Sequence, residues 1–165
     1  MKKITKIIVR FLINNFLSGT RFFFLKRNLL NYIGIKIGDG TKIVGPINFG
    51  TAIDIRIGTN CWIGSNCNFD GNGEIIIGNN IDIAPHVVIN TGGHLIGSSE
   101  RRAGKGIATR INIKDGSWLG TNVTIINNTT ISEGCVVAAG STVIKNIPKN
   151  VLVTGIPAKI KRKLN

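Results

Sequence analysis

Acidic residues are scarce in this 165-residue chain, with 8 Asp and Glu against 21 Lys and Arg and a formal net charge of +13. A charge so one-sided favours anionic partners. Aromatic residues make up only 6%. No aromatic-basic sheet of the RNA-reading kind is recognisable, nor a helix-turn-helix or a paired-cysteine zinc module, so nucleic acid is not an expected partner. Histidine occurs twice, as His86 and His94, and cysteine three times, as Cys61, Cys67 and Cys135. That inventory lacks three zinc-ligating histidines and any Cys/His cluster, so no metal is expected. An odd number of cysteines at small, inward-facing positions reads as buried free thiols in a reducing compartment rather than a disulfide framework. No uninterrupted apolar run approaches a bilayer span, and no small-residue cleavage site follows the broken N-terminal apolar stretch. Neither a spanning helix nor a cleaved signal peptide is expected.

What the chain does have is glycine, 21 residues of it, and large apolar side chains that return every six positions between Ile37 and Thr154. Ile57, Ile63 and Phe69 start the series, Ile77, Ile83 and Ile89 continue it, and Ile113, Leu119, Ile125, Ile131, Val137 and Val143 complete it. This period fits neither an amphipathic helix nor a half-buried strand; it marks an internal repeat. One hexad is a short strand and a turn along one side of a triangular solenoid, and three hexads make a coil of about eighteen residues. Gly58-Thr59-Asn60, Gly78-Asn79-Asn80 and Gly120-Thr121-Asn122 fall where the chain must turn, glycine and asparagine being the residues that tolerate unusual dihedrals. The spacing implies the triangle and leaves its hand open.

Residues 1–33 form a different unit. Lys2, Lys3, Lys6, Arg10, Arg21, Lys26 and Arg27 occur there with no acid, and Ile4, Ile7, Ile8, Phe11, Leu12 and Phe16 recur at helical spacing. The expectation is a basic amphipathic helical arm, interrupted at Ser18-Gly19-Thr20, that caps the open first coil; an anionic membrane surface is a second possible partner. Residues 34–158 are the solenoid and 159–165 a basic tail, expected to be a helical turn or more. Residues 51–76 are its least regular part, with a slightly longer corner expected at Asp70-Gly71-Asn72-Gly73 before Ile75 and Ile77. The hexad phase fails outright between residues 96 and 107, directly after His94, which predicts a loop extruded over 95–110. Loops held on a rigid scaffold are where chemistry concentrates. His86, after Pro85 at a corner, reads as a solvated or subunit-facing residue. His94, at the base of the insertion, is suited to act as a general base.

The segment Ile81-Asp-Ile-Ala-Pro-His-Val-Val-Ile-Asn-Thr-Gly-Gly-His94 resembles the part of the maltose, galactoside and nodulation-type O-acetyltransferases that carries their active histidine. Trp118–Ile125, Val137–Pro148 and Val153–Ile160 resemble the later coils and closing segment of the same hexapeptide-repeat family. One departure is Leu95, where the family commonly has proline. The resemblance implies an all-β, left-handed parallel β-helix assembled as a homotrimer with active sites between subunits. It implies an enzyme, an O-acetyltransferase that moves acetyl from acetyl-CoA to a sugar hydroxyl, with His94 as base and no covalent intermediate. Trp118, Gly120, Ala138, Ala139, Thr142 and Ala158 would line the CoA groove, and Lys145, Lys159, Lys161 and Arg162 would meet its phosphates. The oxyanion donor is sought on the Trp118–Gly120 strand of a neighbour. Asn66, Asn90, Arg101 and Arg102 are the candidates for the acceptor. The arm looks like that of acetyltransferases of surface-polysaccharide synthesis, which implies a carbohydrate acceptor and a cytoplasmic protein, peripheral on the inner face of the membrane. The rivals are a xenobiotic acetyltransferase, a serine acetyltransferase, which would bring a much larger helical N-terminal domain, and a noncatalytic scaffold needing neither His94 nor the loop.

Overall fold

The structure, a computed structural model, describes residues 3–50 and 54–165. Lys2 and the side chain of Lys3, counted in the basic arm, and residues 51–53, at the start of the irregular stretch, lie outside what is described. From Lys36 onward the chain winds as a left-handed parallel β-solenoid of triangular section. Its three faces are parallel sheets, each with an inward column of large apolar residues, and the first face adds a shorter one, Ile55, Ile75 and Ile111. The first column is Ile37, Ile57, Ile77, Ile113 and Ile131. The second is Ile43, Ile63, Ile83, Leu119, Val137 and Val153. The third is Phe49, Phe69, Ile89, Ile125 and Val143. All are buried, and the columns form one continuous core.

Corners are made by residues that accept a left-handed backbone. Asn66, His86 and Asn122 have φ of 57°, 62° and 59° and stack at one corner. There the His86 N–H donates to Ser65 O and the Asn122 N–H to Pro85 O. At another corner a side-chain ladder ties coils together: Asp115 accepts from the Asn79 backbone and side-chain amides, and Asn79 Oδ1 accepts from Thr59 N–H. Glycine at Gly120 has a steric cause, since a Cβ there would lie 2.6 Å from Ala139 N on the next coil.

The coil length differs from the expected eighteen. Ile113 to Ile131 spans 18 residues, but Ile37 to Ile57 and Ile57 to Ile77 span 20 each. In the second of these the extra residues sit at the Asp70–Gly73 corner between the third and first faces, the same corner from which the insertion leaves. The insertion is no irregular loop. Gly92–Ile96 and Ala103–Ala108 pair as an antiparallel ribbon, so the extrusion begins three residues earlier than 95. A sequence with no buried face hid these strands, because cross-strand bonds alone hold them. Its root is pinned by two threonines. Buried Thr91 donates its hydroxyl to Asp70 O and accepts from Gly73 N–H. Thr109 donates its own to Thr91 O at 2.9 Å and Asn127 O at 3.1 Å.

Helices α1 (Lys3–Asn15) and α2 (Phe23–Tyr32) cap the first coil by supplying what a missing strand would. The Asn14 side chain brackets Ile47, accepting from its N–H and donating to its carbonyl. Asn31 does the same to Ile37, and Gly19 bridges Gly45. Buried Lys26 donates to Gly19 O at 2.7 Å, and burial lowers its pKa. At the far end the basic tail is a strand, not a helical turn. Lys159–Lys163 pairs antiparallel with Val151–Thr154, because the open edge of the second face offers hydrogen bonds that a short isolated helix cannot match.

Candidate active site

Two surface features carry the candidate chemistry. The first is a shallow cleft of 440 Å³ at the root of the ribbon, lined by Asn72, Asn90, Gly92, Gly93, His94, Gly106 and Ile107. His94 lies on the first ribbon strand opposite Gly106. Its Nδ1 is 2.8 Å from Gly104 O. A carbonyl only accepts, so the neutral ring keeps its proton on Nδ1 and presents the Nε2 lone pair outward. The space beside the ring is open, since even a Cβ at Gly106 would come no nearer than 4.0 Å to His94 Cε1.

The second is a groove of 390 Å³ along the second face, lined by Ala84, Trp118, Gly120, Thr121, Val136, Val137, Ala138, Ala139 and Leu152. Its floor is almost wholly apolar and small, with Trp118 standing at its edge, 55% exposed. One outward column runs Trp118, Val136, Leu152, Arg162 by register, from an aromatic through aliphatics to a guanidinium. Strand spacing makes that column about 14 Å long. A long ligand with an apolar arm and an anionic end matches this order.

Of the residues singled out from sequence, Trp118, Gly120, Ala138 and Ala139 share the groove, and Arg162 sits at its end. Thr142 and Ala158 meet just beyond it, where the Ala158 N–H donates to Thr142 O at 2.8 Å. Lys145 and Lys159 are exposed on the same closing turns. His94 and Asn90 share the other cleft. Arg101 and Arg102 lie at the tip of the ribbon, where Arg102 bonds Gly97 O, and line neither. Asn66 is at the corner between second and third faces, away from His94. On the third face Asn68 donates to Asp70 Oδ2 at 2.7 Å, and Asp70 is in register with Asn90.

The expected oxyanion donors are spent. The Trp118 N–H donates to Cys135 O and the Gly120 N–H to Val137 O, each completing a coil-to-coil bond. Among the described residues, the Thr121 and Ala139 N–H groups donate to no carbonyl, and both line the groove. The thiols offer no nucleophile. All three cysteines are free and buried, and burial pushes Cys67 up to about 11. No group of three or more metal-binding side chains occurs among the described residues.

No protein-family model matches the chain. A galactoside O-acetyltransferase of Escherichia coli (strain K12) is 30% identical over 140 residues, which is 85% of this chain and 69% of the relative. The chain belongs to the hexapeptide-repeat acetyltransferase family. A hexapeptide-repeat acetyltransferase of Vibrio cholerae, solved in complex with acetyl coenzyme A, has the same fold. Its TM-score is 0.85 at 29% identity, over 99% of this chain and 87% of the other. A maltose O-acetyltransferase of Clostridium difficile 630 gives 0.74 at 26% identity, over 99% and 90%. This acetyltransferase is closely related to the galactoside and maltose enzymes, and its two surface features take their meaning from that relationship.

Proposed function

We propose that this acetyltransferase moves an acetyl group from acetyl-CoA to a hydroxyl of a sugar or glycan. The observation that carries the reading is His94, which lines the cleft with its Nδ1 committed to Gly104 O and its Nε2 bonded to nothing among the described residues. Nε2 takes the proton of the acceptor hydroxyl as its oxygen attacks the thioester carbonyl. The tetrahedral oxyanion needs an N–H donor, for which Thr121 and Ala139 are available. Collapse expels the CoA thiolate, which recovers the proton from His94, so no group on the enzyme is acylated. Gly120, Ala138 and Ala139 admit the pantetheine arm, with Arg162, Lys159, Lys161 and Lys145 toward the phosphates.

Cleft and groove share no lining residue, and within one chain they open at different corners of the triangle. A working site therefore needs His94 of one subunit beside the groove of another, which supports a homotrimer of parallel solenoids with the ribbon crossing to its neighbour. The acceptor carbohydrate would meet the polar group of Asn68, Asp70, Asn72 and Asn90 beside His94. Residues 1–33 and 159–165 act as arm and tail around the catalytic solenoid, at the cytoplasmic face of the membrane.

The test is release of free CoA thiol from acetyl-CoA across a panel of thiogalactosides, oligosaccharides and nucleotide sugars, with serine and antibiotics as controls. Release with at least one carbohydrate and not with serine is expected. Release only with serine or an antibiotic would replace the acceptor class, and no melting shift at millimolar acetyl-CoA would remove the enzyme reading.

A further inference from the structure

Helix α1 carries two apolar stripes, and the solenoid uses the smaller. Val9 and Ile13 are buried against the first coil, beside Asn14 at Ile47. Ile4, Ile7, Ile8, Phe11 and Leu12 fill the opposite side, a sector about 140° wide at 3.6 residues per turn. Ile4, Ile7, Ile8 and Phe11 are 52–66% exposed. Phe16 beyond the helix end and Phe22 and Phe24 at the start of α2 are exposed as well, and Phe16 packs edge-on to Phe11 with centroids 6.0 Å apart. Arg21 is exposed and follows the outer stripe, Lys6 and Arg10 turn half-buried toward the solenoid end beside Ile35, Phe49 and Ile55, and no acid precedes Asp39 in the chain.

We propose that the outer face of α1 is a docking surface for an anionic lipid bilayer, on which the helix lies flat with Ile4, Ile7, Ile8 and Phe11 in the boundary between headgroups and acyl chains. This deepens the peripheral-membrane reading above and is independent of the acetyl-transfer chemistry. An exposed apolar stripe on an arm that carries cations and no acid is the pattern of an interfacial helix, the stripe entering the boundary and exposed Arg21 meeting lipid phosphate. No described helix is long and apolar enough to cross the membrane, so lying on it is the available mode for these helices. A second copy is the poorer occupant on two grounds. It would bring the same cations with no acid to meet them. The cap also closes the end of the solenoid, facing along its axis, whereas lateral neighbours meet its sides. In a trimer of parallel solenoids the three caps point the same way and can meet one flat surface together.

The test is flotation of the full-length protein with phosphatidylglycerol-containing vesicles and with pure phosphatidylcholine vesicles. A paired variant, Ile7→Gln with Phe11→Gln, changes only exposed positions. Oligomeric mass and acetyl transfer to a soluble acceptor are followed in parallel. The wild type is expected to float with the anionic vesicles, and about tenfold less with either the variant or the neutral lipid, at unchanged mass and unchanged transfer. Absence of flotation, or equal flotation of variant and wild type, overturns the proposal. A fall in oligomeric mass in the variant assigns the stripe to a second copy instead. Flotation without transfer to any acceptor leaves this docking standing and removes the enzymatic reading.

Discussion

Replacing His94 with alanine separates the two halves of the site. In the proposed mechanism Nε2 is the base, so its removal should cost the general-base contribution, about 10²- to 10⁴-fold in kcat. That is about 3–5 kcal/mol of barrier. The KM for acetyl-CoA should move by less than about threefold, because no residue lining the His94 cleft also lines the groove proposed for CoA. Stability should change by under about 1 kcal/mol, since the one bond lost, to Gly104 O, lies on an exposed ribbon where water replaces it. The assay is thiol release against acetyl-CoA at saturating acceptor. The three native cysteines add no background, being buried with thiol pKa values raised by burial. A loss of kcat smaller than about tenfold would show that a base other than His94 serves the reaction. A large rise in KM with kcat retained would move His94 from chemistry to CoA binding.

Two further substitutions probe the scaffold. Gly120→Ala places a methyl 2.6 Å from Ala139 N and 2.9 Å from Ala139 Cα, backbone atoms that cannot rotate away. It should cost about 1–3 kcal/mol in thermal unfolding and weaken acetyl-CoA binding with it, and unchanged melting would show that the coils separate freely there. Asp115→Asn tests the corner ladder through pH. Hydrogen bonds from the Asn79 backbone and side chain hold the Asp115 carboxyl below its ordinary value of 3.8. A depressed carboxyl stabilises above the unfolded value and loses that contribution as pH falls through the folded one. Below about pH 4 the wild-type melting temperature should therefore fall more steeply than that of the variant; parallel curves would show that the ladder carries no charge-dependent stability.

The three core columns were legible because each inward residue is large, aliphatic or aromatic, and placed six positions from the next. What was hidden depends on pairing rather than burial. The ribbon strands and the Lys159–Lys163 strand bury almost nothing, so no periodicity announces them, and their partners are set by open edges elsewhere in the fold. The longer Asp70–Gly73 corner was legible because its two glycines and Asn72 interrupt the apolar series before Ile75 and Ile77. His94 could be singled out because the period breaks immediately after it. Counting could not place Asn66 and Asn68, which the fold sets at a corner with a left-handed backbone and on the third face bonded to Asp70, respectively. The Trp118 and Gly120 amides look free in sequence because a strand N–H is spent only when the next coil stacks on it.

Complementation between two inactive proteins bears on the joined half-sites more directly than any single substitution. His94→Ala lacks the base and Ala138→Trp fills the groove, so each alone should be inactive. Co-expressed and mixed at equal amounts, they should regain about a quarter of wild-type turnover, because one interface in four pairs an intact histidine with an intact groove from different subunits. Turnover no higher than that of either variant alone, in protein shown by mass to contain both chains, would contradict a site shared between subunits.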